Sequence, residues 1–246
     1  MFPNDPPQFD KELLIGSGAY GKVFNVDVVS LPGFLLVSKE IDSISRSKTI
    51  NDLQIKSERR ILNALNGNPL FPFCVGYIQP NIILSQKIGF GCTLAQADFS
   101  HLDSFNVSKQ IIQAINTLHK KFGILHNDLH ASNIIIDYAT NRSVVIDFGK
   151  ATPIAYPITY FLSTTQKHQY NKRHRHLAHE LRNEYGAMQS VATDTYSVGY
   201  LLKRLGHYSS PKNNLLYTIG QKLKCIDICS RITLDAGLKE LTNTSN

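Results

Sequence analysis

A chain of 246 residues, 42% of them hydrophobic and 18% charged, can bury a sizeable core and is too apolar to be a disordered tail. The formal net charge of +7 brings nucleic acid, membrane surfaces and acidic substrates into view. No block of basic residues is long enough to select among them, so a specific nucleic-acid partner is not expected.

No apolar run approaches the ~20 residues of a membrane span. Cys74, Cys92, Cys225 and Cys229 lack a usual zinc spacing. With no signal peptide at Met1–Phe9, they read as reduced thiols in a cytoplasmic or nuclear compartment.

In chain order, residues 1–10 are rich in Pro, Asp and Asn and read as a short tail. From Leu13 to Ile41 the pattern is strand, glycine loop, strand, turn at Pro32-Gly33, strand. Ile50, Leu53, Ile61, Leu62 and Leu65 recur at helical spacing between Thr49 and Asn66. Strand-like runs at Cys74–Ile78 and Ile82–Ser85 flank the turn Gln79-Pro80-Asn81. Beyond Gly89-Phe90-Gly91 the character becomes helical. Ile111, Ile112, Ile115 and Leu118 mark an amphipathic helix ending near Gly123, and another helix is expected from Asp194 to Leu205. Between them, Ile134–Asp137 and Ser143–Ile146 read as a hairpin. The expected fold is α+β, a small β-rich lobe with one helix followed by a larger, mainly helical lobe.

Gly16-Ser17-Gly18-Ala19-Tyr20-Gly21-Lys22-Val23 fits G-x-G-x-x-G-x-V, a strand-turn-strand whose backbone can approach phosphates closely. It is not a dinucleotide fingerprint, because Val23-Phe24-Asn25-Val26 continues as strand. Lys39 sits between strand residues, and Glu58 lies inside the expected helix. Such a cation and anion can pair, although Glu58 could equally belong to the exposed charge cluster Lys56–Arg60. Most specific are His126-Asn127-Asp128-Leu129-His130-Ala131-Ser132-Asn133 and Val144-Val145-Ile146-Asp147-Phe148-Gly149. In that spacing Asp128 can orient and deprotonate an attacking hydroxyl, while Asn133 and Asp147 can hold Mg2+ against ATP phosphates.

At these residues the sequence resembles the eukaryotic protein kinase family, from about Phe9 to Leu241 and with every element in family order. The resemblance implies a single bilobal kinase domain over 1–246, with an N-lobe of about 9–88, a hinge of about 86–91 and a C-lobe of about 92–246. It implies ATP and Mg2+ as cofactors and protein substrates, with Ser/Thr the favoured acceptor. The stretch Lys167–His179, with Lys172, Arg173, His174, Arg175 and His176, reads either as a solvated basic loop or as a preference for acidic or already phosphorylated substrates. Gly16, Ser17, Gly18, Ala19, Tyr20, Gly21 and Val23 would cover the nucleotide, and Lys87 and Gly89 would line the adenine. Lys39 and Glu58 would form an activating ion pair. Asp128 would be the catalytic base, assisted by His130, with Asn133 and Asp147 as the metal ligands. Leu177-Ala178-His179-Glu180 resembles the family's A-P-E, and Arg231 matches the late arginine that pairs with that glutamate. Asp194 resembles the start of the helix that anchors the catalytic loop.

Asn127 replaces the arginine of H-R-D, which implies activity independent of activation-loop phosphorylation. His130 stands where lysine or alanine–arginine is common. The compact 194–231 region is similar to that of kinases encoded by large DNA viruses, which would place the protein in a host cell. Two other readings compete: a small-molecule kinase of the aminoglycoside-phosphotransferase kind, and a catalytically inactive pseudokinase. The set His176-x-x-His179-Glu180 has the wrong order for a zinc metalloprotease.

Overall fold

The computed structural model describes residues 9–18, 21–28, 35–41, 48–78, 81–182, 186–208 and 214–243. Residues 1–8 of the expected tail, Ala19, Tyr20 and the turn residues Pro32, Gly33, Gln79 and Pro80 lie outside them, whereas Phe9 and Asp10, read as tail, begin the first strand. The chain divides into two compact units, Met1–Gly91 with Ile146–Lys150, and Cys92–Val145 with Ala151–Asn246.

The first unit carries β1 (Phe9–Gly18), β2 (Gly21–Val28), β3 (Leu36–Glu40), α1 (Lys48–Leu65), β4 (Cys74–Ile78) and β5 (Ile82–Gln86). Its five strands pair antiparallel in the order β1-β2-β3-β5-β4. On β3 the pleat turns Leu36 and Ser38 inward. Leu36 joins Val26, Ile82 and Leu84 in a buried cluster, with Val75 against it. Each such aliphatic side chain stabilises the sheet by roughly 1.5–3 kcal/mol on full burial. The same strand carries Lys39, opposite Val23 on β2 and Ile83 on β5. Along α1, Ile55, Glu58, Leu62 and Leu65 are buried at helical spacing, while Lys56 and Arg60 are exposed. Glu58 therefore belongs to the packed face of the helix and not to a solvated charge cluster.

The second unit opens with α2 (Ser104–Phe122). The Asp103 carboxylate accepts from the Asn106 N–H and caps its start, and Gly123 ends it at φ 64 with its N–H donating to the His119 carbonyl. Val107, Ile111, Ile112, Ile115 and Leu118 supply the buried stripe. Short antiparallel pairs follow: β6 (Ile124–Leu125), β7 (Ile134–Asp137), β8 (Arg142–Val145), β9 (Thr152–Pro153) and β10 (Thr159–Tyr160), with β6 on β9 and β7 on β8. Strand β7 falls where the sequence reading puts it, and β8 begins and ends one residue earlier than expected, with Arg142 paired to Asp137. Then come α3 (Thr164–Arg173), β11 (Ala187–Met188, paired with β10), α4 (Val191–Tyr208), α5 (Asn214–Leu223) and α6 (Leu234–Asn243).

Helix α4 starts ahead of Asp194 because Ser190 and Thr193 exchange side-chain and backbone bonds at its mouth. α4 and α5 pack with their backbones nearly touching. A Cβ on Gly220 would lie 2.5 Å from the Lys203 nitrogen, and one on Gly199 would lie 2.8 Å from the Gly220 carbonyl oxygen. Among the described residues, no helix is long and apolar enough to cross a membrane.

Candidate active site

Within the first unit, the Lys39 amine lies between two carboxylates. Its Nζ donates to Glu58 Oε1 at 2.6 Å and to Asp147 Oδ1 at 2.7 Å. Strand β3 supplies the cation, the packed face of α1 supplies Glu58, and the segment 146–150 supplies Asp147. Burial works against the charge on Lys39, but the two carboxylates outweigh it and hold the amine above its ordinary range. Burial pushes the Glu58 carboxyl up, with Lys39 pulling it back. Asp147 adopts a left-handed backbone, φ 64, and also accepts from the Gly149 N–H at 3.3 Å. Phe148, almost fully buried, packs edge-on against Phe71, which fixes the segment that presents Asp147.

The glycines divide by physical cause. Gly21 has φ 150, and a Cβ there would fall 2.0 Å from the Glu40 carbonyl oxygen, so the sheet itself demands a glycine. A Cβ on Gly16 would meet nothing nearer than Val23 Cβ at 4.0 Å, so the fold leaves that space open. Ser17 pairs with Lys22, and Gly18 with Gly21, across β1 and β2. Val23 pairs with both Gly16 and Lys39. After β5, the Lys87 N–H donates to the Leu35 carbonyl at 2.8 Å, and Gly89 has φ 49.

Within the second unit, the loop 126–133 hangs from one carboxylate. Asp194 on α4 accepts from the His126 N–H at 2.7 Å and the Asn127 N–H at 2.9 Å, and its Oδ2 lies 2.9 Å from His119 Nε2. Burial opposes the Asp194 charge, but His119, His126 and these donors hold the carboxyl below its usual range. Asn127 takes φ 65, a conformation that asparagine tolerates better than most residues, and its Nδ2 donates to Thr152 Oγ1 at 2.8 Å. The Asp128 N–H donates to His126 Nδ1 at 3.3 Å. Asn133 gives its Nδ2 to the Asp128 carbonyl at 2.8 Å, so the atom left to serve a cation is its oxygen. His130 Nε2 lies 3.9 Å from Asp128 Oδ2.

Farther along, Arg231 grips Glu180 with two nitrogens, Nη1 to Oε1 at 2.8 Å and Nη2 to Oε2 at 3.0 Å. His119 was not among the sequence candidates. Its one signal was its place on the apolar stripe of α2, in step with Ile112 and Ile115.

The profile described as the protein kinase domain matches residues 9–235. A protein of Acanthamoeba polyphaga mimivirus named as a serine/threonine-protein kinase is 28% identical over 151 residues, covering 58% of this chain and 26% of that protein. One so named in Dictyostelium discoideum is 28% identical over 149 residues, 56% of this chain and 22% of its own length. The Kinase suppressor of Ras B of Caenorhabditis elegans is 51% identical over 52 residues, 21% of this chain and 9% of that protein. The chain thus spans about a quarter or less of the length of these relatives. On a match that runs through nearly all of its sequence, the chain belongs to the protein kinase family.

Proposed function

We propose that this kinase transfers the γ-phosphate of ATP, with Mg2+, to serine or threonine hydroxyls of other proteins. The observation that carries the reading is the Lys39 amine held between Glu58 and Asp147. Asp147 is partly open to solvent beside that amine, where its carboxylate oxygens can meet a metal ion. Carboxylate and amide oxygens suit Mg2+, which keeps several waters and takes few protein ligands. Among the described residues there is no group of three or more His, Cys, Asp or Glu that could hold a metal. Asp147 and Asn133 are the residues assigned to the ion. Held there, Mg2+ would supply positive charge against that of the phosphates.

In this reading Lys39 grips the α- and β-phosphates, and Glu58 keeps its amine aimed. The open space over Gly16 lets backbone approach the nucleotide, with Ser17, Gly18, Ala19, Tyr20, Gly21 and Val23 completing the cover. Adenine lies along Lys87–Gly89, where the bond from the Lys87 N–H to Leu35 leaves the remaining backbone groups to meet it. Asp128 accepts the proton of the acceptor hydroxyl as its oxygen bonds to the γ-phosphorus. The bond from that phosphorus to the β–γ bridging oxygen breaks, and ADP leaves. His130 stands beside Asp128 to steady the transferring group.

The direct bond from Asn127 to Thr152 supports activity that needs no phosphorylated activation segment. Free thiols at Cys74, Cys92, Cys225 and Cys229 support a reducing, cytoplasmic or nuclear setting. The serine/threonine assignment is supported by the names of the mimivirus and Dictyostelium relatives. The test is transfer from γ-labelled ATP with Mg2+ onto a mixed protein extract, followed by identification of the modified residues. Label on serine and threonine is expected. Label on metabolites alone, or none with a folded, nucleotide-binding protein, would overturn the proposal.

A further inference from the structure

The stretch from Ala151 to His179 contains no acidic residue. At the chain's average of 19 Asp and Glu in 246 residues, about two would be expected there. It carries Lys167, Lys172, Arg173 and Arg175, with His168, His174, His176 and His179 among them. Lys167, His168 and Lys172 on α3 and Arg175 after it are exposed, and His168 and Lys172 share a helix face at i, i+4.

This basic surface continues onto α4 and the end of α5. Lys224 is held below its ordinary range, first by burial and then by the like charges of Lys203 and Arg175, so both of those cations act on it. Among the described residues, none of Lys167, Lys172, Arg175, Lys203 and Lys224 has an acidic partner within ion-pair distance. Arg231, by contrast, is taken up by Glu180 and by the Cys225 and Ala192 carbonyls.

The surface is also joined to the proposed catalytic base. His130 reaches to 3.9 Å from Asp128, its ring meets that of His176 at 5.1 Å, and His176 meets His174 at 6.2 Å. Arg175 lies between those last two in sequence. A protein chain held with its hydroxyl at Asp128 and lying along this row would reach His174, the sequence neighbour of Arg175, within about five extended residues of the acceptor, at ~3.3–3.6 Å per residue.

The structure assigns to the segment 164–175, with Lys203 and Lys224, the recognition of Asp- and Glu-rich sequence flanking the acceptor hydroxyl of the protein substrate. This deepens, and rests on, the reading of the chain as a protein kinase. Carboxylates are favoured over a single phosphate because the cations are strung along a helix and its exit. Lys167, Lys172 and Arg175 are spread over nine residues of sequence, a spacing that suits several separate carboxylates better than one dianion. Nucleic acid is disfavoured because the row of rings leads to Asp128, where a protein hydroxyl would be received.

The test compares serine peptides flanked by glutamate, lysine or phosphoserine, and a single-stranded oligonucleotide, using the full chain and the triple variant Lys167→Glu/Lys172→Glu/Arg175→Glu. These residues lie outside the catalytic machinery, and a thermal melt checks that the variant folds. Wild type is expected to phosphorylate glutamate-flanked peptide with a KM at least tenfold below that of lysine-flanked peptide. The variant should lose or reverse that preference through KM, with kcat within about twofold, and added salt should weaken it. Direct binding of the same peptides, read by fluorescence anisotropy, gives the same ranking without turnover. It therefore tests recognition even if no phosphate is transferred, an outcome that would count against the kinase reading alone. Equal KM and equal binding for the glutamate and lysine peptides would overturn the inference. So would a phosphoserine peptide preferred tenfold over the glutamate one, or an oligonucleotide that binds more tightly than any peptide and competes with none.

Discussion

The two units handle buried charge in opposite ways. In the first, one ammonium serves two carboxylates: Lys39 is bonded to both Glu58 and Asp147. In the second, the accounts balance locally. Asp194 takes three donors, and Glu180 takes a two-pronged guanidinium. The first gathers carboxylates from a helix and a loop around one amine, with Asp147 partly open to solvent, and suits a site that receives a charged ligand. The second is complete as it stands and suits a site that holds backbone in place. Substitutions at Asp147, and at the proposed base Asp128, should therefore remove activity more than stability, and at Asp194, Glu180 and Arg231 the reverse.

The largest expected effect is on turnover. Asp147→Ala should reduce phosphate transfer at least 10²-fold, and Asp128→Asn by roughly 10²–10⁴-fold, the usual worth of a positioned base. Unfolding temperatures should stay close to wild type, and activity loss that simply follows unfolding would break the contrast between the units.

Lys39→Met sharpens it. Leaving Glu58 buried without its partner should cost about 3 kcal/mol in denaturant unfolding, whereas Lys39→Met with Glu58→Leu should recover most of that stability and none of the transfer. Recovery of activity in the double variant would refute the role given to Lys39.

Asp194→Asn should cost about 3 kcal/mol near neutral pH, and activity should fall only as the fold does. Because the folded carboxyl of Asp194 titrates below its ordinary range, its contribution is fully present above the unfolded value near ~3.9 and is lost as pH falls through the folded value. The gap between wild type and variant in unfolding free energy should therefore close below about pH 4. A gap that stayed constant into acid would contradict the assignment. Gly220→Ala should cost about 1–3 kcal/mol by forcing α5 off α4, with kcat unchanged per folded molecule.

The smallest effect is expected from removing modification sites. Replacing the Ser, Thr and Tyr residues between Ala151 and His176, other than Thr152, with non-phosphorylatable residues should leave transfer within about twofold. A general loss across these variants would show that the Asn127–Thr152 bond does not stand in for a phosphate switch.

How much of this was legible in the sequence follows from which signals are local. Alternation and glycine punctuation located β1 to β5, and the apolar stripe located α2 to its last turn, because those patterns are fixed by the faces they bury. The glycine loop, Lys39 and the 126–147 motifs were legible as spacing. Glu58 was not decidable from its neighbours, since Lys56 and Arg60 flank it. Only the helical phase of Ile55, Leu62 and Leu65 puts it inside. Helix α3 escaped because Thr164–Arg173 has no apolar stripe to betray a period. The close contact of α4 with α5 escaped too, because glycines in a helical pattern look like weak points until a neighbouring backbone is found against them. His119 read as one more polar residue on a helix, and its partner Asp194 lies 75 positions away.

The most direct test of the account is the rate at which the purified chain moves γ-phosphate from ATP and Mg2+ to a protein hydroxyl, measured beside Asp128→Asn at equal folded concentration. Label should accumulate on serine and threonine with wild type and fall by at least 10²-fold in the variant. Equal labelling by both proteins, or none by a folded wild type that binds ATP, would contradict it.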